Sequence, residues 1–308
     1  MRCLYLWFSV SLLLFFMASA PAQSDVIVRQ ITYAGWQNAY QLSNGDVELV
    51  FVPQIGRIMR YGPVGGPNML WNNPTMLGKT ASLEAAAKEW PNFGGDKLWP
   101  APQSVWNWPP DPYLDSAPQT VRVLPNHHLL AIGQASPQSG IRFEREIALA
   151  PKGDEVTLIN TMINTSSKPV KWAIWEIFQA NDPLRVYLPT NISGHFAEGY
   201  LKMSDTLPPI DRIHGQLVLS RSHTTSYKVG SDAPDIRIRA LVSGYTVSLT
   251  AKLLKGTYPD GGCTMEVYSN PDAAPYMEME LLAPIVQLRP GEQTRFVTQW
   301  HLGPPQGP

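Results

Sequence analysis

Apolar and polar positions alternate in short runs along this chain, and turn residues break the runs every few positions. Val26 to Tyr33 is rich in β-branched and aromatic residues, which favour the pleated strand. Asn44-Gly45 is a strong hairpin signal, because both residues accept the positive φ of a tight turn. Asp46 to Val52 resumes as a strand, Pro53 to Gly56 breaks it, and Arg57 to Tyr61 returns. From Gln119 onward the same grammar repeats. Runs at 119–124, 129–134, 141–149 and 156–163 are followed by runs at 170–178, 217–220, 236–241 and 245–251. Runs at 264–268, 277–282 and 294–302 close the series. Ile141 to Ile147 carries so many charges that one of its faces is expected in solvent. Helical spacing is confined to Ser82–Trp90, where Leu83 to Lys88 are good helix formers and Ser82 can cap. The pattern predicts an all-β chain of two large antiparallel sheets packed face to face, with one short helix. No Ser-, Gly- or charge-rich linker interrupts it, so residues 23–308 are expected to form a single domain.

Composition supports this picture. The 23 glycines and 29 prolines suit many turns rather than a helical bundle. Lys and Arg number 24 against 25 Asp and Glu, and no basic run occurs. Nucleic acid and anionic membrane surfaces are therefore not expected partners. Residues 1–22 read as a secretory signal peptide. Arg2 is followed by the apolar run Leu4 to Met17 and then by small residues up to Ala22. The mature chain is expected in the periplasm or outside the cell, without a membrane span. It retains one cysteine, Cys263, which cannot form an intramolecular disulfide.

The most unusual stretch is Trp90 to Trp108, which holds Trp90, Trp99, Trp106 and Trp108 around Gly94-Gly95-Asp96-Lys97. Its prolines argue against both a helix and a central strand, so a long stiff loop is expected. Indole faces beside fixed polar groups suit a sugar ring, with its apolar C–H faces and its belt of hydroxyls. The alternative is that the loop folds its tryptophans back as a lid on the core. The six histidines show no metal-binding spacing, and no nucleotide or serine-hydrolase glycine motif occurs, so neither metal nor cofactor is expected. His195, between Gly194 and Phe196, is a further candidate on a loop.

Three stretches together resemble the galactose mutarotase-like (aldose 1-epimerase) superfamily. They are Asn44–Tyr61, Asn164–Phe178 (NTSSKPVKWAIWEIF) and Cys263–Leu302, with its two Glu-bearing strands and final Trp. The Gly94-Gly95-Asp96-Lys97 run with Trp99-Pro100 is similar to that of an uncharacterised bacterial group within it. The resemblance implies a β-supersandwich with a sugar-sized cleft on the concave face of one sheet. It implies that Glu266 matches the general base, which takes the proton of the anomeric hydroxyl. The superfamily's histidines are absent. Glu176 falls near one of their positions, and Phe93 precedes Gly94-Gly95 where a histidine would stand. Two functions are therefore expected. The first is carbohydrate binding by Trp99, Trp106, Asp96, Lys97, Arg57, His195 and Glu266. The second is a sugar isomerase with Glu266 as base and Glu176 or Lys97 as acid.

Overall fold

The computed structural model of the chain describes residues 26–304, and the expected signal segment lies outside them. The chain opens in one sheet with β1 (Ile27–Tyr33), β2 (Trp36–Ser43), β3 (Val47–Val52) and β4 (Arg57–Pro63). The β2–β3 turn is the expected Asn-Gly hairpin. Asn44 Oδ1 accepts from the backbone N–H of Asp46 and Val47, at 3.0 Å each. After the helix α1 (Leu83–Ala86), β5 (Asp96–Ala101) joins the same sheet. A 3-10 turn (Gln103–Val105) and a second helix, α2 (Pro112–Asp115), follow.

The chain then builds the facing sheet with β6 (Thr120–Val123), β7 (Leu129–Ile132), β8 (Ile141–Leu149) and β9 (Val156–Asn164). β10 (Val170–Asn181) returns to the first sheet, and β11 (Arg185–Pro189) to the second. β12 (Leu201–Lys202) edges the first sheet, whereas β13 (Asp211–Ile213) and β14 (Gln216–Leu219) edge the second. β15 (Tyr227–Ser231), β18 (Met265–Ser269) and β19 (Tyr276–Leu282) complete the first sheet. β16 (Arg237–Val242), β17 (Tyr245–Ala251) and the long β21 (Gln293–Gly303) complete the second. β20 (Val286–Leu288) pairs only with β10.

The result is an 11-stranded sheet against a 10-stranded sheet, antiparallel throughout. The order β4-β5-β10-β19-β18-β15 places six strands beside one another in the first sheet. The main core lies between the sheets, with Phe143, Met162, Phe178, Met279, Phe296 and Trp300 buried in it.

Three expectations change. Two short helices occur among the described residues rather than one, and α1 spans only Leu83–Ala86 under its Ser82 cap. The tryptophan stretch is not all loop, because β5 runs through its centre. Pro100 is tolerated there because β4 pairs with β5 only at Ile58↔Asp96. By Pro100 that flank carries no ladder for a missing N–H to break. On β8, Arg142, Glu144 and Glu146 do face outward, but Arg145 is buried on the inner face.

Candidate functional site

Strand parity sorts the candidate side chains between the two faces of the 11-stranded sheet, because successive residues point to opposite sides. On β5, Leu98 enters the inter-sheet core while Lys97 and Trp99 face outward. On β10, Ile174 and Phe178 face the core and Trp175 and Ile177 the outside. On β18 and β19, Met265, Val267, Met277, Met279 and Leu281 face inward. Glu266, Tyr268, Tyr276, Glu278 and Glu280 therefore share the outer face with Lys228 of β15.

A cleft of about 420 Å³ opens on this outer face. Its walls are Trp90, Trp99, Trp108 and Trp175, and its polar lining includes Lys228, Glu278, Asn270 and Tyr268. Trp99 stands at the centre of the aromatic wall. It meets Trp90, Trp106, Trp108 and Trp175 edge to face, with centroids 5.5–6.2 Å apart. Asp115, at the end of α2, fixes this arrangement. Its carboxylate accepts from Trp99 Nε1 at 2.7 Å, Trp90 Nε1 at 3.1 Å and the Arg57 guanidinium at 2.7 Å. Trp108 is 55% exposed, so a large aromatic face stays in water at the mouth of the cleft.

Two lysines stand beside the cleft, and each is already paired. Lys97 Nζ donates to Glu278 Oε1 at 2.9 Å and lies 4.8 Å from the Trp99 ring centroid. Burial pulls the Lys97 pKa down, while Glu278 opposes that pull. Lys228 Nζ bridges Glu266 at 2.6 Å and Glu280 at 2.9 Å, and lies 4.5 Å from the Trp175 ring. Burial disfavours the Lys228 ammonium too, but its two carboxylates prevail and hold its pKa above the ordinary lysine value. Glu266 and Glu280 are directly opposite each other on β18 and β19. Burial, resisted by Lys228 and reinforced by Glu266, pushes Glu280 up to about 8. Its Oε2 accepts from Trp175 Nε1 and Lys228, whereas its buried Oε1 has no partner. Glu280 is thus shifted toward its protonated form, and Oε1 is its oxygen without a partner.

Residues 38–195 match the model of a domain of unknown function, DUF4380. The chain belongs to that family. No curated protein matches its sequence. Among solved structures, a galactose mutarotase-like protein from Lactobacillus casei aligns with a TM-score of 0.58 at 8% identity, over 86% of this chain and 99% of that one. A galactose mutarotase-like protein from Clostridium acetobutylicum gives 0.58 at 10% identity, over 92% and 100%. A TPR-domain containing protein from Parabacteroides distasonis gives 0.59 at 15% identity, over 86% of this chain but only 47% of that one. At these identities the likeness establishes the fold, which is the galactose mutarotase-like sandwich. The DUF4380 match includes Trp90–Trp108 but ends at His195, before the strands that carry Lys228, Glu266 and Glu280.

In this DUF4380 chain, Lys97, Trp99 and Glu266 come together on the outer face. Trp106 packs behind Trp99 and donates Nε1 to Pro100 O at 2.9 Å. Asp96 and Glu176 do not reach the cleft. Their neighbours Lys97 and Trp175 take the outer face, so the period of two sends both carboxyls between the sheets. There Arg145 pairs with Asp96, and its NH2 lies 3.7 Å from Glu176. Glu176 also accepts from Trp300 Nε1 and Asn160 Nδ2, at 2.8 Å each. Arg57 is fully buried against Asp115 and the Gly94 carbonyl, so it positions tryptophans rather than meeting solvent. His195 borders a different cavity.

The glycines before Asp96 have a packing reason. A Cβ on Gly94 would lie 2.3 Å from Trp71 O, and one on Gly95 2.4 Å from Ile58 O. Sequence reasoning missed Asp115, Lys228, Glu278 and Glu280 as site residues. Only the Glu-rich run at Met277–Leu282 carried a visible signal. Among the described residues, no helix is long and apolar enough to cross a membrane. Nor is any group of three or more His, Cys, Asp or Glu placed to hold a metal ion.

Proposed function

We propose that the tryptophan cleft binds a carbohydrate. One observation carries this reading. A cleft of about 420 Å³ combines four indoles held edge to face with a lining of alternating carboxylate, ammonium, amide and phenol groups. That volume falls in the range of roughly 300–1,000 Å³ usual for small-molecule sites. The exposed face of Trp108 matches the apolar side of a pyranose, and Glu278, Lys228 and Asn270 match its hydroxyls. Both lysines beside the cleft, Lys97 and Lys228, are paired with carboxylates, which favours an uncharged sugar over a uronate or a sugar phosphate. Titrating the mature protein with neutral mono- and disaccharides, while following tryptophan fluorescence, tests the reading. Saturable quenching or enhancement is the expected result. A flat response in fluorescence and in calorimetry overturns it.

A second reading, isomerisation at the anomeric carbon, rests on a separate observation. Glu266 and Glu280 flank one ammonium from adjacent strands, and burial raises the Glu280 pKa. Glu266 and Glu280 place two carboxyls opposite each other on adjacent strands, one to serve as base and one as acid. Such a pair could take the proton of the anomeric hydroxyl and protonate the ring oxygen, at a rate gain of roughly 10²–10⁴-fold for a positioned base. Exchange between anomers above the protein-free rate, lost in Glu266→Gln, is the expected sign. Export belongs to the same proposal, resting on the leader-like segment at residues 1–22. A secreted chain whose N-terminal sequence starts at Gln23 is its test.

A further inference from the structure

A second cavity, of about 620 Å³, lies beside the tryptophan cleft and is not needed to hold one sugar ring. The 3-10 turn separates the two. Gln103 lines the cleft, whereas Pro102 and Ser104 line the second cavity. The partition is thin. Tyr258, which lines the second cavity, belongs to the same apolar cluster as Trp99 and Trp175. The polar floor runs beneath both. Lys228 lines the cleft and pairs with Glu266, and Glu266 lies near enough to Asp260, which lines the second cavity, to help raise its pKa.

Opposite Asp260 stands an oriented histidine. The Asp232 carboxylate accepts from the backbone N–H of His195 at 2.6 Å and lies 3.0 Å from its Nδ1. Asp232 is buried, while the His195 ring is 80% exposed. With Nδ1–H directed at Asp232, Nε2 is left as an acceptor toward solvent. Gly194 permits this approach, because a Cβ there would lie 2.2 Å from Asp232 Oδ2. A carboxyl and an oriented imidazole thus line a cavity whose other surfaces include Tyr258 and Ile285, hydroxyl-binding groups beside apolar ones.

We infer that this cavity is a second saccharide subsite, and that the ligand is an oligosaccharide with one ring in the tryptophan cleft and the next over His195 and Asp260. The inference rests on the sugar reading of the cleft and extends it. Each cavity alone is as large as an ordinary small-molecule site, so the two together exceed what a single ring would fill.

The test is calorimetric titration with gluco-, galacto-, manno- and xylo-oligosaccharides of one to four rings. Affinity is expected to rise at least about tenfold from one ring to the longer chains, as hydrogen bonds to Asp260 and His195 are added. In His195→Ala the ratio of long-chain to single-ring affinity is expected to fall to about one. In Trp108→Ala that ratio is expected to persist while every affinity drops. Ser104→Trp is a second probe. Ser104 is exposed, so the substitution fills the cavity without touching the His195–Asp232 pair, and it should abolish the length dependence. Affinity independent of chain length, with Trp108→Ala still weakening binding, overturns the second subsite and leaves the cleft standing. Failure of every saccharide to bind overturns both.

Discussion

The 11-stranded sheet carries a cluster of two carboxyls and one cation on each face, and the two clusters have different fates. On the inner face Arg145 stands between Asp96 and Glu176. On the outer face Lys228 stands between Glu266 and Glu280. All four carboxylate residues are fully buried. In each cluster burial pushes one member up to about 8, Asp96 inside and Glu280 outside. Each cluster thus sets one carboxyl shifted toward its protonated form beside a second carboxyl and one cation. The cation makes the difference. Arg145 is enclosed, and its guanidinium also donates to Asn160 Oδ1 at 2.7 Å, so it locks the two sheets together. The Lys228 side chain keeps 18% of its surface and borders the tryptophan cleft. The same charge arrangement is thus a structural tie on one face and a support beneath the tryptophan cleft on the other.

The largest test of that contrast is Arg145→Met. Removing the cation strands two buried carboxyls, and the expected loss of stability is about 3–5 kcal/mol in denaturant unfolding. A loss under about 1 kcal/mol would contradict the structural role of the inner cluster. Lys228→Met is expected to cost less, about 1–3 kcal/mol, because water reaches that cation and can partly replace it. Sugar binding should nevertheless be lost in the variant that remains folded. Equal destabilisation by the two substitutions would erase the distinction between the faces.

The next effect is a pH dependence. Asp96 and Glu280 hold protons in the folded protein that the unfolded chain releases above about pH 4–4.5. Stability should therefore fall as pH rises from about 5 to about 8 and level off above that. Glu280→Gln and Asp96→Asn should each flatten part of the slope. Bound sugar should alter only the part that belongs to Glu280. A slope of opposite sign in chemical denaturation across this window would overturn the protonation assignment. The smallest effect is that of Trp108→Ala. Loss of an exposed stacking face should weaken a bound sugar roughly 2- to 10-fold and leave unfolding unchanged.

The sequence makes the alternating strands legible and leaves the site only partly so. β8, β9 and β17 can be read from their alternation and turn residues, within a residue or so of the observed bounds. β5 cannot, because Pro100 looks like a strand breaker until the divergence of β4 is known. The face taken by Glu176 is also hidden. Residues 173–180 of β10 are buried throughout, since tryptophans cover the outer side, and a strand buried on both sides shows no alternation. Glu266 can be named through the family resemblance. Lys228 and Asp115 cannot, because their partners come from remote segments. Lys228 meets Glu280 across 52 positions, and Asp115 meets Arg57 across 58. Neither sits in a motif.

The most direct test of the proposed sugar cleft is saturation-transfer NMR on the unsubstituted protein and on Trp108→Ala, with the same panel of neutral mono- to tetrasaccharides. The expected result is transfer to ring C–H protons from the unmodified protein, sharply reduced in the variant. Absence of transfer from either protein, or equal transfer from both, contradicts the assignment of the tryptophan cleft as the binding site.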